Sequence, residues 1–283
     1  MISLSSIMMT LKSGKNETNM INTKNTENIP GIYNYCDRWC ERCMFTNRCL
    51  SYKTERKQKN ELFNAGNDSS ANTHTWDVIK ESFEMAKELI REFAIKEGID
   101  LDSLPKDLEF SKKQNIIEGK VKKHALVVAA DRYLDSVTKW FDEADHLFIL
   151  GFDDQRETIT VSLTNRYQQL DIETITDAIE VIKWYQYQIS VKLSKALFSK
   201  GMDEIDEMGG VDVMDGMERH DGSAKVALIG IDRSIGAWNV LLSNFRTEED
   251  SILNILVCLG RLRNSVEKEF PKARGFVRPG FDD

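Results

Sequence analysis

Hydrophobic and polar positions along this chain recur with the period of a helix over most of its length. From residue 76 to about 97, apolar side chains return every three or four positions at Trp76, Ile79, Phe83, Ala86, Ile90 and Phe93, with Thr75 placed to cap the first turn. A second helix is expected over 120–144 on the stripe Val127, Ala130, Leu134, Val137 and Phe141. The third, over 171–198, is the most regular: Ile172, Ile175, Ile179, Ile182, Ile189, Leu193 and Leu197 share one face, and Asp171 is a ready cap. The fourth, over 223–244, is apolar almost all round, which marks a central helix. A fifth is expected over 250–270, with Thr247 and Asp250 near capping-box spacing. Between the second and third, residues 147–152 and 158–163 read either as a short hairpin or as an irregular loop, since Thr158, Ile159, Thr160 and Val161 favour strand. The expected fold class is mainly α, a bundle of four to five helices.

The segments without this period divide the rest of the chain. Residues 1–30 are rich in Asn, Thr, Lys and Ser and read as a disordered tail. Residues 31–63 are dense in cysteines and aromatics at their start and form a module too small to hold a core without a staple. Residues 64–75 read as a polar linker, 76–270 as the bundle, and 271–283 as an irregular tail. Within the bundle, the acidic, Met- and Gly-rich stretch 199–222 reads as a mobile loop.

Composition narrows the function classes. A chain of 283 residues, 41% hydrophobic and 30% charged, is long enough for a sizeable core. A net charge of −8 argues against a general binder of nucleic acid or anionic membranes. No run of eighteen uncharged apolar residues occurs, so no membrane span is expected, and the start from Met1 to Leu11 lacks the charged flank of a signal peptide. The expected compartment is the cytoplasm, where clustered cysteines bind metal more often than they form disulfides.

Four of the five cysteines fall in one short run with the spacing Cys36-x3-Cys40-x2-Cys43-x5-Cys49. A tetrahedral all-sulfur site needs four thiolates that a tight turn brings to one point, and the Cys-x2-Cys step makes such a turn. The same four thiolates suit a [4Fe–4S] cluster, so zinc and iron–sulfur both stand as cofactor readings. The part Cys40-Glu-Arg-Cys43-Met-Phe-Thr-Asn-Arg-Cys49 resembles the Cys-x2-Cys-x5-Cys end of the iron–sulfur motif in RecB-family nucleases. That family often carries a Pro-aromatic pair after the middle cysteine, and here the pair is Met44-Phe45. The resemblance covers about ten residues, and the family's catalytic acidic-Lys motif is not apparent, so nuclease activity is not implied. The first three cysteines also match radical-SAM spacing, but Arg42 stands where that family has an aromatic, and the helical remainder does not suit its barrel.

Polar residues on the helices offer a second candidate. Asp232 and Asn239 flank the apolar stripe of the fourth helix, and with Glu180 and Gln188 of the third they outline a polar pocket. The simpler reading is an ion pair between Asp232 and an arginine of a neighbouring helix. Trp184, Tyr185 and Tyr187 read as packing aromatics, and Gly230 and Gly236 as points of close helix approach. His124, Asp131 and Asp135 share a helix face but point away from its apolar stripe, so they are expected to face solvent. No dinucleotide, P-loop, zincin or serine-hydrolase motif is present. The leading expectation is a non-enzymatic metal-binding protein whose bundle holds a protein partner. The alternatives are an iron–sulfur redox protein or enzyme with a pocket near Asp232, and a nucleic-acid accessory factor using Arg38, Arg42, Arg48, Arg56 and Lys57.

Overall fold

A computed structural model describes residues 28–65, 87, 91, 108–153, 158–164, 167, 169–209 and 219–282. Its helices are α1 (Leu50–Ala65), α2 (Leu108–Lys122), α3 (Ala125–Asp142), α4 (Ile172–Gly209), α5 (Arg219–Asn244) and α6 (Glu249–Glu269), with strands β1 (Phe148–Asp153) and β2 (Thr158–Leu163) between α3 and α4. The protein is mainly α-helical, as its periodicity predicts. The helix expected over 76–97 lies outside the described residues, apart from Lys87 and Arg91.

The isoleucine stripe produces the longest helix. Asp171 Oδ1 accepts hydrogen bonds from the amides of Glu173 and Thr174, satisfying donors that the first turn of α4 leaves open. From there Ile175, Ile179, Ile182, Ile189 and Leu193 are all buried. α4 continues well past residue 198, which corrects the loop expected over 199–222 at both ends: residues 199–209 are helical and 219–222 open α5, while 210–218 lie outside the described residues. Met, Glu and Asp are tolerated or favoured in helices, and acidity alone does not end one. The helix expected over 120–144 is also corrected, because it breaks at Lys123 and His124. The His124 ring accepts the Leu126 amide hydrogen at 3.2 Å and caps α3. The Thr247–Asp250 cap is not formed: Glu248 precedes α6 without a side-chain cap, and Ser251 Oγ donates back to its carbonyl.

Helices α3, α4, α5 and α6 surround one core, with α4 and α5 packed along most of their length and α2 lying on α4. Strands β1 and β2 pair antiparallel, Phe148 with Leu163 and Asp153 with Thr158, which favours the hairpin over the irregular loop. Its β2 strand rests on α4. At one end the core is aromatic: Trp238 meets Trp140 edge to face at 5.0 Å, and its indole N–H donates to the Tyr133 hydroxyl at 3.2 Å. α5 is long and apolar enough, by length and composition alone, to cross a membrane, and half of it is buried. Here it packs against both α4 and α6.

Gly230 is the closest approach between α4 and α5. A Cβ placed there would lie 2.8 Å from Tyr185 Cδ1 and 3.3 Å from Ile189 Cγ1. Gly230→Ala is therefore expected to destabilise the protein by about 1–2 kcal/mol, overpacking outweighing the gain in helix propensity of about 1 kcal/mol. A shift in the urea midpoint at unchanged slope measures it.

Candidate metal centre

The cysteine segment is built from three short 3-10 turns, Ile32–Asn34, Cys40–Arg42 and Thr46–Arg48, followed directly by α1. Arg38, between the first two cysteines, has φ of +61°, a left-handed conformation uncommon for a residue with a side chain. Its guanidinium holds that turn by donating to Ser51 Oγ at 3.0 Å and Glu55 Oε1 at 2.7 Å on α1. α1 was not legible as a helix from its stripe, since it is polar on nearly every face.

Cys36, Cys40, Cys43 and Cys49 all line one small cavity of about 20 Å³, walled also by Ile32, Tyr33, Trp39, Tyr52 and Phe281. None of them is in a disulfide. Cys36 Sγ donates to the Tyr33 carbonyl at 3.5 Å, and the Phe45 amide donates to Cys43 Sγ at 3.4 Å. Burial pushes the Cys36 thiol up, against the pull of Lys192 and Arg38 nearby. Burial pushes Cys40 up to about 11, and the neighbouring Cys36 and Glu41 charges add to it. Among the described residues no three His, Cys, Asp or Glu side chains stand close enough together to hold a metal ion as they are oriented here. The four thiols therefore share a cavity without yet sharing a point.

The segment is seated on the bundle through Asp37. Its Oδ2 accepts from the Tyr185 hydroxyl on α4 and from Arg233 Nη1 on α5, the latter at 2.9 Å. Its carbonyl accepts from the Trp184 indole N–H at 3.1 Å, and its Oδ1 accepts from the Trp39 amide at 3.2 Å. One residue earlier, the Cys36 carbonyl accepts from Lys192 Nζ at 2.7 Å. Lys192 is buried, and that burial lowers its pKa. Trp39 stacks on Trp184 with centroids 5.0 Å apart, and Arg42 lies 4.1 Å over the Trp39 ring while binding Asp177 and Glu180. The C-terminal residues close the far side, with Phe281 against Phe45 and Phe276 against Tyr35.

The second candidate separates. Asp232 is held by Arg274 and, at 3.6 Å, by Arg263 of α6, which is the ion pair anticipated as the simpler reading. Asn239 donates to the Ile235 carbonyl of its own helix, and Glu180 is bound by Arg42. The Gln188 side-chain oxygen is buried without a hydrogen-bond partner among the described residues. Asp232, Asn239 and Glu180 thus have different partners, and none of these is Gln188. Asp131 accepts from Ser190 Oγ at 2.7 Å, away from His124. Of the basic residues near the cysteines, Arg38 and Arg42 are committed to carboxylates and Arg56 to Tyr52.

Sequence reasoning did not single out Asp37, Lys192 or Tyr185 as parts of one site. The one available signal was Arg233, a charge interrupting an otherwise apolar helix, which had to find a partner. No family model matches this chain, and no curated protein or solved structure matches it.

Proposed function

We propose that this protein carries a structural metal centre on Cys36, Cys40, Cys43 and Cys49, and that the centre staples a partner-binding helical bundle at one end. The observation that carries the reading is that all four cysteines line a single cavity. A space of about 20 Å³ suits one ion better than a cluster of several irons and sulfides, so zinc leads. The Phe45 N–H aimed at Cys43 Sγ and the cations of Lys192 and Arg38 would offset the negative charge of four thiolates. Binding requires the thiols to deprotonate and turn inward, Cys36 giving up its bond to Tyr33. A reducing compartment, the cytoplasm, belongs to the same proposal.

An iron–sulfur centre is the second reading, favoured by the Cys40-x2-Cys43-x5-Cys49 spacing. The charged side chains beside the cavity are already engaged, Asp37 by Tyr185 and Arg233, Lys192 by the Cys36 carbonyl and Arg38 by Glu55, which favours a non-catalytic role. Chelation tests the staple: a strong chelator is expected to change the near-ultraviolet circular dichroism of Trp39 and Trp184 while far-ultraviolet helix content changes little. Zinc should restore the signal. An unchanged near-ultraviolet spectrum after complete metal removal would reject the stapling role.

A further inference from the structure

A second cavity, of about 430 Å³, opens beside the cysteine segment in the seam between α4 and α5. We propose that this cleft binds a small monocarboxylate with an apolar body. The inference goes beyond the metal centre and needs only that the cysteine segment be seated on the bundle, since Trp39 and Arg42 belong to that segment.

The cleft is built by two helical strips of matching period. α4 contributes Thr174, Asp177, Ala178 and Val181, and α5 contributes Arg233, Gly236, Ala237 and Val240, each set at i, i+3, i+4 and i+7. Such strips normally interlock as packing ridges. Here the positions at the centre are Ala178, Gly236 and Ala237, which are too small to fill the seam. A Cβ built on Gly236 meets nothing within 4 Å, whereas one on Gly230 two turns away would strike Tyr185. Gly236 therefore serves no close approach, contrary to the sequence expectation, and the space above it is open. Trp39 and Arg42 wall the cleft from the cysteine segment. The volume falls in the range of small-molecule sites.

Charge selects the ligand. The lining holds two arginines and one aspartate, and Glu180 and Asp37 pair with those arginines from just outside it, so the cation left for a ligand is the open edge of Arg233. Arg42 directs its two terminal nitrogens at Asp177 and Glu180. Arg233 spends only Nη1, on Asp37 and Tyr185, and its Nε and Nη2 have no protein acceptor among the described residues. A carboxylate is the planar acceptor that matches that open edge, and the Ala and Val floor takes the apolar remainder.

Ligand-observed NMR on the full chain, with benzoate as probe and benzamide as its uncharged counterpart, tests this. Saturable benzoate binding is expected, at least about tenfold tighter than benzamide, as a charge-assisted bond implies. Gly236→Leu, which fills open space on a helix surface and should not impair folding, is expected to abolish it. Arg233→Met is expected to erase the preference for benzoate. Equal binding of both probes, no saturable binding of benzoate, or binding that survives Gly236→Leu would overturn the proposal.

Discussion

Replacing Cys40 and Cys43 together by serine is expected to reduce bound metal to background and to cost the protein its ordered N-terminal segment. Serine keeps the size and loses the thiolate, so the change removes ligands without leaving a cavity. For small zinc modules the binding free energy is on the order of 10 kcal/mol and amounts to folding free energy, because the ligand set is not preformed in the unfolded chain. The segment from Ile29 to Cys49 has little else of its own: Ile32 is its one buried apolar side chain. Limited proteolysis should cut the variant between residues 31 and 49 while the bundle persists. The bundle's core, from Ile117 to Ala273, contains none of these four cysteines, and of the segment only Trp39 packs against it. A variant that keeps its metal would place the ligands elsewhere.

Asp37→Ala is expected to have the next largest effect. It removes an acceptor shared by Tyr185 and Arg233 and leaves the Tyr185 hydroxyl, on a fully buried residue, without its carboxylate. A charge-assisted bond to a buried partner is worth about 1.5–3 kcal/mol, and the Arg233 contribution is smaller because that side chain is about half exposed. A loss of about 2–3 kcal/mol follows, or roughly 5–10 °C in Tm for a domain of this size. Asp37→Asn, which keeps one acceptor, should recover part of it. A Tm unchanged by Asp37→Ala would mean that the segment is not held on the bundle through this residue.

These two predictions mark how far the sequence could be read. The cysteine run is legible because metal chemistry requires unusual residues at short spacing. The core helices are legible because burial imposes a period on Ile, Leu and Val, as in α4. α1 was not, because Leu50–Ala65 has no apolar stripe to reveal it. The extension of α4 to Gly209 was hidden by its acidic composition. The site's second half was hidden for another reason: Asp37 meets Tyr185 and Arg233 across 148 and 196 positions of chain, and no local pattern encodes such a meeting. The cysteine segment, legible only as a module ahead of a polar linker, is bonded to both central helices. Pairing Asp232 with Arg274 likewise needed the fold, although the need for some arginine was plain from its neighbours on α5.

The most direct test of the metal centre is elemental and acid-labile sulfide analysis of the full chain purified without oxygen. The account predicts about one zinc ion per chain, no sulfide and no absorption band near ~400 nm. Protein that is folded, has four free reactive thiols in the segment and carries no stoichiometric metal of any kind would contradict it.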